Sequence, residues 1–266
     1  MQKVEPKVFL IAKTETNALE TCEWLEELGV SQTYAFEAKP EALVELAGRR
    51  CYKSFEPGLN PNVTKIRTDQ KEYFENILKS KHGSVLEHIT GTFAIENVSR
   101  VFTHELVRHR VGVAYSQESL RYVRLDSLKR WLPDLIRNDS IAKDIFDKAF
   151  AELENYQLEL AGHYNLDDPN NKLSFEKKKE ITSAMRRIAP IGLGTGIVMT
   201  ANIRSLRHML EMRTAKSAEV EMRIVFNKIA EICCQTWPLL FQDFYMIVKD
   251  PENPDSREWV PKYSKV

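Results

Sequence analysis

The sequence predicts an α+β fold, with helices packed on a small, mostly antiparallel sheet. Two observations carry this. Apolar stripes at helical spacing recur along the chain, whereas few stretches read as strands: Val8 to Ala12, Ile89 to Glu96, and a segment from Ser116 toward Leu125. Gly192, Gly194 and Gly196 alternate without opening a helix in a βαβ unit, so a Rossmann arrangement is not indicated. The 266 residues suffice for one large domain or a domain with an insertion, and 43% hydrophobic content supports a core. The reading is a single domain over 1–266, with a helical insertion around 135–175 and a polar tail at 251–266.

Taken in order, Val8 to Ala12 is a buried strand. Thr16 caps a helix that runs to Leu28 and stops at Gly29. A second helix spans about Pro40 to Gly48, with proline in its first turn. Pro57, Gly58, Asn60 and Pro61 mark a loop, and Asp69 caps a helix through Leu78. The next strand alternates, with Ile89, Gly91, Phe93 and Ile95 on one face. Val98, Val101, Phe102 and Leu106 then repeat at helical spacing, with Asn97 as N-cap and Gly112 as stop. A long helix covers 141–164, followed by a polar, proline-containing loop at 167–171. A charged helix runs from about Phe175 and ends before Pro190. Ile197 to Arg213 is helical by pattern, and Ser217 caps a final helix limited by Pro238. The tail after Pro251 reads as a surface arm.

Charge is balanced, 38 basic against 38 acidic residues, so no global field points to nucleic acid or membrane. The apolar run near the N-terminus is too short for a signal-peptide core or a membrane span. Cys22, Cys51, Cys233 and Cys234 lack metal spacing and read as reduced thiols of a cytoplasmic protein. His82 and His88 bracket Glu87, but that spacing is not a metal-ligand pattern, and no metal is expected. Ser-His-Asp, GxSxG, P-loop and HExxH signatures are absent.

The informative stretch runs from His104 to Tyr122. Arg108, His109 and Arg110 fall in the last turn of the predicted helix, where cations ordinarily complement the negative end of the dipole. Adjacent helical residues point about 100° apart, a geometry suited to a bulky polyanion wrapped by a helix end. In an extended segment, Gln117, Ser119 and Arg121 share one face. An amide, a hydroxyl and a guanidinium together read a base edge and a phosphate. Arg186, Arg204, His208 and Arg213 add further cations and donors at helix ends, enough for two nucleotides, one of them a dinucleotide. Taken singly, Arg186 or Arg204 reads as a surface helix arginine.

These residues resemble the flavin-dependent thymidylate synthase family. Its signature is Arg-His-Arg, a seven-residue spacer, then Ser; here eight residues separate Arg110 from Ser119, the extra one lying within Val111 to Ala114. The downstream pattern Tyr115, Ser116, Gln117, Ser119, Arg121, Tyr122 is intact. Further blocks match in order: Arg50-Cys51; His82, Ser84, Glu87, His88; Arg186 and Pro190; and Asn202, Arg204, Ser205, Leu206, Leu210, Arg213. The resemblance spans about residues 45–240.

The resemblance implies that Ser84, Glu87, Arg108, His109 and Arg110 hold FAD, with Gln117 near both ligands. Asn202, Arg204 and His208 would bind the flavin from another subunit of a homotetramer; members often carry asparagine where His208 stands. Glu105, Arg108, Gln117, Glu118, Ser119, Leu120 (through its backbone), Arg121 and Arg186 would surround dUMP. Arg213 would be catalytic, standing at the pyrimidine and favouring ionisation at N3. His82 would lie near flavin and folate. Cys51 stands where many members have serine, and a thiol is the weaker donor. A later histidine used by some members is Ser217 here, so its role is not carried over.

The implied reaction is reductive methylation of dUMP to dTMP. Methylenetetrahydrofolate is the carbon donor, reduced FAD the hydride source, and NADPH the reductant of FAD. The extra spacer residue opens an alternative, a sister enzyme methylating UMP or another pyrimidine nucleotide. An RNA-binding protein using the arginine-rich helix is disfavoured by balanced charge and the lack of a basic stripe.

Overall fold

The computed structural model describes residues 2–30, 39–123, 125, 127–248, 250 and 256–264. In chain order, β1 is Gln2–Lys3 and β2 Lys7–Lys13, followed by α1 Ala18–Glu27, α2 Ala42–Tyr52 and α3 Gln70–Lys79. A 3-10 segment, Gly83–His88, leads to β3 Thr90–Ser99, α4 Arg100–Leu106 and β4 Val113–Gln117. Then come β5 Lys129–Arg130, α5 Asp134–Arg137, α6 Ser140–His163 and α7 Phe175–Met185. A second 3-10 segment, Arg186–Ile188, precedes β6 Gly194–Asn202, α8 Ile203–Arg213, α9 Val220–Thr236, β7 Phe244–Val248 and β8 Arg257–Pro261.

The expected α+β architecture holds. The main sheet has the order β2-β3-β6-β4. Ile203 N–H donates to Ile89 O, and Arg100 N–H to Leu193 O. Partner numbers thus run in opposite senses, and β3 and β6 are antiparallel. Asn202 N–H to Gly112 O and Glu118 N–H to Gly196 O show the same for β6 and β4. β7 and β8 pair antiparallel, whereas the short β1 and β5 pair in parallel. On β3 the predicted alternation is seen: Gly91, Phe93 and Ile95 are buried, and Thr92 and Ala94 between them are partly exposed.

The chain divides into two compact units whose boundaries fall inside β2, β3, β4 and β6 and between Arg108 and His109. The first comprises Met1–Phe9, Ala94–Arg108 and Tyr115–Val198. Its core clusters are Leu120, Leu128, Phe150 and Leu193, and separately Ala161, Leu166, Ile181 and Met185. The second comprises Leu10–Phe93, His109–Ala114 and Met199–Val266. There Leu25, Val30, Leu46 and Phe55 cluster, and Trp237 packs where a side chain at Gly91 would have to go.

Several local expectations are corrected. Ile197–Ala201 belongs to β6, not to a helix; the helix begins at Ile203, where Asn202 accepts from Ser205 N–H at 2.8 Å. The β-branched residues Thr195, Ile197, Val198 and Thr200 suit a buried strand, and the sheet decided the matter. The cap of α4 is Ser99, accepting from Phe102 N–H at 3.2 Å; Asn97 instead adopts φ +62° inside β3. Asn17 caps α1 in place of Thr16, and Glu219 caps α9 in place of Ser217. Asp69 caps α3 as expected, accepting from Glu72 N–H at 2.7 Å. Beyond Pro251, residues 251–255 lie outside the described set. Residues 257–261 form a strand, not a loose arm, with Trp259 Nε1 donating to Asn227 Oδ1 at 3.0 Å.

Candidate active site

The Arg-His-Arg triplet does not sit in a helical turn. α4 closes at Leu106, with Val107 as its cap, and Arg108 follows in a turn, its N–H donating to Glu105 O at 3.2 Å. Gly112, at φ +67°, reverses the chain into β4. The 100° spacing of helical neighbours therefore does not apply to Arg108, His109 and Arg110.

In the second unit, His109 is the hub. Its Nε2 accepts from Arg213 Nε at 2.8 Å, and its ring meets that of His208 edge-on with centroids 6.1 Å apart. A guanidinium only donates, so Nε2 is the acceptor and Nδ1 carries the hydrogen. Burial, then the nearby Arg213 and His208 charges, push the His109 pKa down to about 4, so the ring is neutral at pH 7. On the first turn of α8, Arg204 donates to Glu87 Oε1 at 2.6 Å, while Asn202 serves as N-cap. Glu87 comes from the 3-10 segment that also carries exposed Ser84. His82 precedes that segment, and its Nε2 lies 3.0 Å from Tyr52 Oη with the two rings near-parallel. This unit therefore assembles Glu87, His109, Arg204, His208 and Arg213. A helix N-terminus, guanidinium groups and a neutral imidazole are suited to phosphate oxygens and a polar ring system.

In the first unit, Gln117 ends β4 and donates through Nε2 to Thr103 Oγ1 on α4 at 3.0 Å, one turn before Arg108. The expected shared face of Gln117, Ser119 and Arg121 is not formed. Tyr122 and Val123 N–H both return to Ser119 O at 3.0 Å, so the chain turns at Ser119 and the alternation stops; Arg124 lies outside the described residues. Arg121 instead lines a cleft of about 630 Å³ with Lys179, Arg187 and Ser183 of the α7 region. Glu118 accepts from Thr195 Oγ1 at 3.2 Å through its carboxylate and from Arg100 Nη2 at 2.9 Å through its carbonyl. Leu120 is buried.

Sequence reasoning passed over Arg100, Lys179 and Tyr52. Burial lowers the Arg100 pKa, Glu118 counteracts this, and Arg186 lowers it further, so two guanidinium groups face one region. A signal existed: Arg100 is the first residue of α4, where a cation opposes the helix dipole. Tyr52, half-exposed at the end of α2, carried no such sign.

The family model for thymidylate synthase complementing proteins matches residues 33–239. A flavin-dependent thymidylate synthase of Corynebacterium diphtheriae is 37% identical over 207 residues, 77% of this chain and 79% of the relative. The chain belongs to the flavin-dependent thymidylate synthase family. Another flavin-dependent thymidylate synthase, from Mycobacteroides abscessus, is 35% identical over 254 residues, 92% of either chain. The fold is also that of thymidylate synthase X from Helicobacter pylori, solved with FAD and dUMP. The TM-score is 0.56 at 20% identity, covering 89% of this chain and 99% of that one. A UMP/dUMP methylase from Streptomyces cacaoi, solved with 5-Br UMP, gives a TM-score of 0.58 at 15% identity, over 90% and 94%. Against this flavin-dependent thymidylate synthase background, the spacer departs from the family pattern by one residue, at a loop whose geometry is now visible.

Proposed function

We infer that this chain is a flavin-dependent thymidylate synthase that converts dUMP to dTMP by reductive methylation. Family membership over residues 33–239 carries the inference. The residues present fit the flavin. His109 is neutral, with its Nε2 engaged by Arg213, and α8 offers a capped N-terminus beside Arg204. Bound there, FAD would supply the hydride, with methylenetetrahydrofolate as carbon donor and NADPH as reductant.

The chain's own residues divide the remaining work. Ser84, Glu87, His109, Arg110, Asn202, Arg204 and His208 hold the flavin, together with Arg108 and Gln117. Glu105, Arg108, Gln117, Glu118, Ser119, Leu120, Arg121 and Arg186 hold dUMP. The guanidinium of Arg121 neutralises phosphate charge as part of a donor set. Arg213 favours the ionised pyrimidine, because a fixed cation stabilises charge as it develops. His82 borders the folate. The chain works as one catalytic domain within a homotetramer whose sites are shared. Ile141, Ile145 and Tyr156 on α6, all exposed and on one side of the helix, support an apolar contact face. Among the described residues no helix is long and apolar enough to cross a membrane. With four free cysteines, the compartment is read as cytoplasmic.

The test is the absorption spectrum of the pure protein, followed by turnover with FAD, NADPH and methylenetetrahydrofolate on dUMP and on UMP. A flavin band and preference for dUMP are expected. A colourless, folded protein that refuses FAD rejects the reading. A preference for UMP moves it to the sister enzyme that the longer spacer allows.

A further inference from the structure

The extra spacer residue falls where the structure shows an unusually close approach. After His109 and Arg110, Val111 O accepts from Ser205 Oγ at 2.6 Å, and Gly112 O accepts from Asn202 N–H at 3.0 Å. Gly112 stands at φ +67°, and a Cβ there would collide with Asn202 Nδ2 and lie 2.7 Å from Ser205 Oγ. Two requirements therefore meet at one residue, a left-handed backbone and the absence of a side chain. The partners belong to the first turn of α8. Asn202 Oδ1 is already engaged in capping Ser205 N–H at 2.8 Å, which leaves the amide nitrogen as the face that meets the loop.

We propose that Gly112 and Ser205 are positioning residues for the flavin. They seat Val111 and Gly112, where the eight-residue spacer begins, on α8, and so fix the positions of His109 and Arg110 before any ligand arrives. The proposal rests on the flavin reading above and extends it to two residues outside the expected binding set. The physical basis is preorganisation: a loop held in its bound geometry beforehand is not ordered at the expense of binding. His109 is tied to Arg213 near the far end of the same helix. The chain from His109 to Gly112 is thus anchored on α8 at both ends, and loosening one anchor frees the other residues to rotate away.

The experiment titrates FAD into the full-length chain by quenching of flavin fluorescence, for the parent and for Gly112→Ala, Gly112→Asn and Ser205→Ala. The apo forms are melted in parallel. Both Gly112 variants are expected to weaken FAD binding by about tenfold or more. Asparagine tolerates the left-handed region, so an equal loss for Gly112→Asn assigns the effect to the close approach and not to φ. Ser205→Ala is expected to weaken FAD severalfold while leaving the apo melting temperature unchanged, which a purely structural role would not do. If the Gly112 variants do not fold, Ser205→Ala decides alone. Parent-like FAD affinity in Gly112→Asn or in Ser205→Ala overturns the proposal while the functional reading stands. A parent that takes up no FAD overturns both.

Discussion

At the scale of single residues, His109 carries the most chemistry. Its pKa of about 4, against an ordinary 6.5, means that the unfolded chain takes up a proton the native chain refuses. Stability contributed by the neutral ring is therefore full above pH 6.5. It falls as pH drops through the window from 6.5 to about 4. Melts of the apo protein between pH 7.5 and pH 4.5 should show this decline, and His109→Gln should flatten it. Arg213 depresses the His109 pKa and donates to its Nε2. Arg213→Ala should lose methylation, because the cation that favours pyrimidine ionisation is gone, and should also weaken FAD, because His109 loses its anchor on α8. Arg108→Ala should lose the flavin itself. Normal turnover by Arg213→Ala, read by dTMP formation, would remove its assigned role.

At the scale of elements, a cap sets where the triplet falls. Ser99 accepts from Phe102 N–H and starts α4, and the helix ends at Leu106. Ser99→Ala should cost about 1 kcal/mol of stability in chemical denaturation. Because Arg108 lies one short helix downstream, FAD affinity should weaken along with it, whereas a cap removed from α1 by Asn17→Ala, with no flavin residue on or just after that helix, should leave FAD binding alone. The strand β6 shows where pattern reading failed. Ile197, Ile203, Leu206 and Leu210 fit a helical stripe on paper. Yet the first lies in β6, between β3 and β4, and the others lie in α8. An apolar run buried on both faces carries no period that separates strand from helix. Asp69 was legible because a cap is local, its side chain reaching only three residues along.

At the scale of the whole molecule, the chain's end is tied to α8 through a buried ion pair. Arg207 donates to both Asp243 oxygens, at 2.7 and 2.9 Å, and to Leu240 O at 2.7 Å. Both side chains are almost fully buried. Removing one partner strands the other charge, so Asp243→Ala should destabilise by roughly 3–5 kcal/mol. Since α8 also carries Arg204, His208 and Arg213, FAD affinity should fall with it. The exposed apolar residues of α6 belong to this scale too. Ile145→Glu should lower the mass measured by light scattering from that of a tetramer, and an unchanged mass would reject α6 as the contact face.

The sequence by itself determined the class of fold and the family, because caps, stripes and the order of motif blocks are local signals. It also named Arg108, His109, Arg110 and Arg213 as candidates for one site, and of these the structure joins His109 to Arg213. Only the tertiary structure decided that the triplet leaves its helix and that β6 is a strand. It alone showed His109 neutral against Arg213, and Gly112 pressed on Asn202. The reason is physical. Burial, close approach and the coupling of charges more than a hundred positions apart arise only when the chain folds back on itself, and no spacing along the chain encodes their distances.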